Sequence, residues 1–124
     1  MKIKTAELIG LPLDWAVAVC EGKENYFEIR EGQIWYERAS GDLIRYSPST
    51  KFMQGGRTID RAQIQVIKGN PLYFPNKNDT GDYYEPLWIA GKMHGQTRLI
   101  AGLRCYVASQ LGDEVEVPDY LLTA

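Results

Sequence analysis

A single histidine and two cysteines in 124 residues leave little from which to build a soft-ligand metal centre, and their spacing removes the rest. No two of His94, Cys20 and Cys105 stand at zinc-finger separation, so a structural zinc site is excluded. Long apolar runs are missing too. The stretch after Met1-Lys-Ile-Lys-Thr-Ala-Glu is broken by Gly10, Pro12 and Asp14, which leaves no signal-peptide core. No window approaches the roughly 18 uninterrupted apolar residues of a membrane span. The expected setting is the cytoplasm, where both thiols stay reduced and pack as small hydrophobes within apolar, helix-like runs. Nor is there a surplus of positive charge. The 14 Lys and Arg stand against 16 Asp and Glu, a net charge of −2, which disfavours a sequence-independent nucleic-acid binder.

Catalytic signatures are equally scarce. G-x-S-x-G, G-x-G-x-x-G and Walker sequences do not occur, and Gly91-Lys-Met-His-Gly-Gln-Thr has the wrong order for a phosphate loop. Asn76-Lys-Asn-Asp-Thr-Gly81 alternates oxygen ligands with glycine in sixth place. It begins without an acid, however, and has Leu87 where a bidentate glutamate belongs, so it reads as a turn rather than a calcium loop. His94 and Cys105 do not form a base and nucleophile, because Cys105 falls two turns inside an amphipathic helix. The sequence assigns no catalytic residue, metal or cofactor.

What is present is ordinary globular material, 44% apolar and 24% charged, in a length that suits one domain spanning 1–124 with a core of its own. Leu13-Asp-Trp-Ala-Val-Ala-Val-Cys reads as a helix stopped by Gly22, with Leu11, Trp15, Ala18 and Val19 on one face and Trp15 as anchor. Two β-rich runs around Glu31-Gly32 predict a hairpin, and Ser40-Gly41 a further turn. Gln54-Gly-Gly reads as a break, followed by a short helical turn from Thr58 to Ala62. Thr97 caps a long helix whose stripe Ile100, Leu103, Val107, Leu111 ends at Gly112. The fold class is therefore α+β. The N-terminal helix and the long C-terminal helix pack on a mainly antiparallel sheet drawn from segments near 26–30, 33–38, 43–46, 63–68 and 87–90. Gly69 to Pro86 reads as a long loop.

The stretch from Arg45 to Lys68 is the candidate ligand site. Tyr46, Ser47, Ser49 and Thr50 offer hydroxyls in a turn, Gly55 and Gly56 would bare backbone amides, and Arg57 supplies a cation; anion sites are assembled from such parts. The same residues also make ordinary turn chemistry. Segment 43–68 carries five cations against Asp60, a local charge of +4, while segment 113–119 carries four acids. If Asp113, Glu114, Glu116 and Asp119 lie over Arg57 and Arg61, the tail occludes that patch.

Several blocks resemble the NinX family of lambdoid phages and prophages. They are Leu13-Asp-Trp-Ala-Val-Ala, Tyr46-Ser-Pro-Ser-Thr, Gln54-Gly-Gly, Trp88 with Ala90, Leu99-Ile-Ala, and the run from Arg104-Cys-Tyr-Val-Ala-Ser-Gln-Leu to Glu116-Val-Pro-Asp. The chain departs from that pattern at Lys51-Phe52, at Arg57-Thr-Ile-Asp60 and at Gly102, the last costing about 1 kcal/mol of helix propensity unless it permits a close contact. The resemblance implies a phage accessory protein working in the cytoplasm of an infected or lysogenised host cell, and it implies no reaction. The leading expectation is a non-enzymatic protein that binds a host or phage protein, with loop 70–86 and its tyrosines as the contact surface. The alternative is a small enzyme or an anion- or nucleotide-binding domain using the Ser-Pro-Ser-Thr and Gly-Gly-Arg turns. A nucleic-acid accessory factor ranks third, self-association is compatible with each, and no membrane partner is expected.

Overall fold

The structure, a computed structural model, describes residues 1–68 and 88–122. Along the chain run β1 (Lys2–Lys4), α1 (Gly10–Cys20), β2 (Glu28–Arg30), β3 (Gln33–Glu37), β4 (Leu43–Tyr46), α2 (Phe52–Arg61), β5 (Ile67–Lys68), β6 (Trp88–Ala90), β7 (Met93–Gly95), α3 (Arg98–Leu111) and β8 (Glu114–Glu116). The class is α+β, as expected. The strands are distributed over three small antiparallel sheets, β1-β8, β2-β3-β4 and β5-β6-β7. Segment 70–86, the calcium-like turn and the start of the strand at Leu87 lie outside the described residues.

Local chemistry explains the hairpins. Glu31 and Gly32 both take left-handed backbone (φ 52° and 70°), so the two-residue turn between Arg30 and Gln33 twists with its strands. Pairing Ile34 with Tyr46 and Tyr36 with Ile44 then puts Ile34, Tyr36, Ile44 and Tyr46 on one face of the sheet. Ile34 is buried on that face, and β3 packs against α1.

The long helix forms as its sequence dictates. Thr97 accepts the backbone N–H of Ile100 at 3.1 Å, Leu103 and Val107 are fully buried, and Gly112 leaves the helix with φ 89°. Its Arg104 reaches two backbone carbonyls, those of Leu8 (2.7 Å) and His94 (2.8 Å), and so binds the approach to α1 and strand β7 to one helix. Helix α1 departs from expectation. Its core contacts run through Leu13, Ala16 and Val17, while Trp15 and Leu11 are half-buried at the margin. The helix is covered on more than one side, so no single stripe marks its core. Cys20 and Cys105 are free but half-buried rather than buried, and burial pushes the Cys20 thiol up to about 11 and the Cys105 thiol upward.

The acidic tail does not reach Arg57 or Arg61. Strand β8 pairs with β1, setting Glu116 opposite Lys2 and Glu114 opposite Lys4 while Ile3 and Val115 face inward. The Thr5 hydroxyl closes the clamp on the carbonyl of Gly112 at 2.6 Å.

The largest correction concerns Gly55 and Gly56. They lie inside α2, buried, and not in a break. A Cβ on Gly55 would run into the backbone carbonyl of Pro48, so the site tolerates only glycine, whereas one on Gly56 would meet the Phe52 ring at 3.0 Å. Gly102 allows the same kind of approach between α3 and α2, since a methyl there would strike Ile59. Gly55→Ala is expected to destabilise the chain by about 3 kcal/mol, because backbone must move. Gly56→Ala is expected to stay within about 1 kcal/mol of the parent: the Phe52 ring, 62% exposed, can swing away and the helix gains propensity. Paired chemical-denaturation curves check both.

Candidate functional site

The turn between β4 and α2 is organised by a residue that the sequence did not single out. Asp14 on α1 is 5% exposed. Its Oδ1 accepts the Ser49 backbone N–H at 2.8 Å and its Oδ2 accepts the Ser47 hydroxyl at 3.4 Å. The buried Ser49 hydroxyl lies beside the same carboxylate without a well-formed hydrogen bond. Ser47 also shares a 2.5 Å hydroxyl contact with Thr50, and its carbonyl accepts the N–H groups of Thr50 (3.1 Å) and Lys51 (2.8 Å), so the Ser-Pro-Ser-Thr run becomes the entry to α2. Gln54 secures it from the helix side, accepting the Ser47 N–H at 2.6 Å and donating to the Arg45 carbonyl at 2.9 Å.

The seven sequence-proposed residues therefore divide. Ser47 and Ser49 point to Asp14, Thr50 to Ser47, and Gly55 and Gly56 to helix packing. Tyr46 and Arg57 meet elsewhere, in a cleft of about 550 Å³ between the β2-β3-β4 sheet and α2. Its floor is a ring cluster: Phe27 lies 4.4 Å from Tyr46 and 5.7 Å from Tyr36, centroid to centroid, with Tyr36 edge-on to Tyr46 at 6.4 Å. Such pairs add to the stabilisation that area burial gives. Tyr46 makes no hydrogen bond through its hydroxyl to any described residue, and burial, then the charges of Glu21 and Asp14, raise its pKa so that it stays protonated. Sequence reading missed Phe27 and Tyr36 as site residues. The signal was there in the hairpin register, which brings Tyr36 and Tyr46 to one face.

The opposite wall is the α2 row Met53, Arg57, Arg61, spaced four apart and so aligned on one side of the helix. Glu21, at the C-terminal end of α1, accepts the Arg61 guanidinium at 2.8 Å and the Thr58 hydroxyl at 3.0 Å. Arg57 has no ion-pair partner among the described residues. The +4 segment is thus dispersed: Arg45 projects from the sheet face opposite Tyr46, Lys51 bonds the Arg45 carbonyl, and Lys68 belongs to another sheet. Among the described residues no group of three or more His, Cys, Asp or Glu is placed to hold a metal ion. His94, exposed on β7, and Cys105 do not share a site with the cleft.

Burial pushes the Asp14 carboxyl from an ordinary 3.8 up to about 6, against the opposing pull of the Ser49 and Ser47 hydrogen bonds and the Arg45 charge. Between those two values the folded chain holds a proton that the unfolded chain has released. The contribution of Asp14 to stability is therefore greatest below pH 4, falls as pH rises, and is about 3 kcal/mol smaller above pH 6. Asp14→Asn keeps an acceptor without the charge, so the parent's stability relative to this variant is expected to drop by that amount between pH 4 and pH 7 in urea titrations. Asp14→Ala also orphans the Ser49 amide and, like asparagine, cannot titrate, so its cost is expected to be about 3 kcal/mol larger at pH 4 than at pH 7.

No curated protein matches the chain. A family model described as "Bacteriophage P22, NinX" matches residues 4–110, the greater part of the sequence, and leaves the acidic tail beyond its span. The chain belongs to the bacteriophage P22 NinX family.

Proposed function

We propose that this phage protein is an accessory factor that works without catalysis, in the host cytoplasm, by binding a host or phage protein through the face that carries the cleft. One observation carries the reading: the rim combines a tyrosine, a methionine and an arginine held out to solvent beside an aromatic floor. Tyr26 is 78% exposed and Met53 66% exposed, and Arg57 stands on the same helix face as Met53. Tyrosine and arginine dominate interface hot spots, and methionine adapts to irregular partner surfaces. No helix among the described residues is long and apolar enough to cross a membrane.

The alternative, a small anion or nucleotide pocket, retains two of its parts, since Tyr46 and Arg57 both line the cleft. Of its other parts, the Ser47 hydroxyl bonds Asp14, the Thr50 hydroxyl bonds Ser47, the Ser49 hydroxyl is buried in the same turn, and the glycines serve helix packing. Thermal-shift measurements with phosphate, sulfate and mononucleotides are accordingly expected to give a flat profile.

A photo-crosslinking amino acid placed at Met53 in phage-infected cells is expected to give discrete adducts heavier than the 14.1 kDa chain, while the same group at Lys92, in the β6–β7 turn, gives none. Equal or absent crosslinking at the two positions overturns the assignment of this face.

A further inference from the structure

We propose that the cleft takes an acidic peptide segment anchored by one aromatic side chain, with the ring against Phe27, Tyr36 and Tyr46 and a neighbouring carboxylate on Arg57. This rests on the reading of the face as a protein-binding surface and names the chemistry of what it binds. The volume, about 550 Å³, falls in the range of sites that enclose a bound group. The floor is apolar and its three rings pack against one another at centroid separations of 4.4, 5.7 and 6.4 Å, so an incoming ring finds a formed surface.

Charge decides the flank. Five charged side chains line the cleft: Glu21, Lys23, Glu37, Arg57 and Arg61. Glu21 and Arg61 neutralise each other at 2.8 Å, and Glu21 is further held by Thr58. Lys23 and Arg57 have no ion-pair partner among the described residues, nor has Glu37. The unspent charge is two cations against one acid. Glu37 ends β3, on the sheet side, and Arg57 sits on α2, so the segment's carboxylate belongs beside α2 and away from the sheet end. Arg57 can receive it with two parallel N–H donors, a contact of fixed geometry. Four residues away, Met53 borders the anchor and completes an apolar-then-cationic order along one helix face.

The test is an NMR titration of the full chain, labelled with nitrogen-15, with three blocked tripeptides: aspartate-phenylalanine-aspartate, aspartate-alanine-aspartate and lysine-phenylalanine-lysine. The first is expected to give saturable shifts around Tyr46, Gln54 and Arg57 with a Kd on the order of 1 mM, and the other two to bind about tenfold more weakly. Arg57→Glu and the milder Arg57→Gln are expected to weaken the first peptide about tenfold and about threefold, with Lys92→Glu leaving it unchanged. Equal response to the acidic and basic peptides, indifference to either Arg57 variant, or no saturable shift up to about 10 mM overturns the proposal. So does tighter binding of a mononucleotide at the same resonances, or line-broadening with chain concentration that marks a second copy in the cleft. Crosslinking at Met53 without this peptide preference leaves the protein-binding face standing and removes only its acidic-aromatic specificity. Peptide binding without crosslinking does the reverse.

Discussion

Asp14 holds the segment that carries both walls of the cleft, and it does so from a position where a carboxylate is expensive. With 5% of its surface exposed, it has given up nearly all of its water and receives in return one amide, one hydroxyl and the field of Arg45. Those contacts fix the Ser47–Thr50 turn against α1. The turn in turn sets where Tyr46 leaves the sheet and where α2 begins. Pro48 lies in the middle of it, and its carbonyl is the atom that forbids a side chain at Gly55. One buried acid thus sets the distance between the aromatic floor and the Met53–Arg57 row.

A second constraint works at the C-terminal end of α1, where Glu21 joins α1 to α2 through Thr58 and Arg61. Its side chain is 13% exposed against 64% for Arg61, so the pair is anchored at the acid and open at the base. Its value lies in position more than in energy, since a pair open to solvent on one side contributes little. By consuming Arg61 it leaves Arg57 and Lys23 as the lining cations without an ion-pair partner among the described residues. The net charge of −2 therefore describes the chain poorly. The acidic tail is set against the N-terminal lysines, and the basic middle is spread over two sheets and a helix.

Local signals were read well where the decisive neighbours are close in sequence. The Thr97 cap is three residues from the amide it binds, the Glu31-Gly32 turn needs only its own two torsions, and Gly112 ends α3 by its own backbone. The site was legible in part. Tyr46 and Arg57 line the cleft, whereas Ser47, Ser49 and Thr50 lie in the turn at Asp14, and a hydroxyl that serves a ligand looks the same in sequence as one that serves a buried acid. Gly55-Gly56 misled for a related reason. Glycine pairs usually mark breaks, and the close approach that requires glycine at Gly55 comes from Pro48, on the far side of a turn.

The sequence by itself determined the α+β class, the long capped helix, the first hairpin and the family pattern, all of which follow from periodicity and from contacts within a few residues. Tertiary structure alone decided that β8 closes on β1, that Trp15 sits at the margin while Leu13 and Val17 take the core, and that Asp14 meets Ser47 and Ser49 across 33 and 35 residues of chain. The physical reason is the same in each case. Pairing, burial and the rescue of a buried charge are made between groups that the chain brings together only on folding, and no local pattern specifies which of several chemically similar partners will be there.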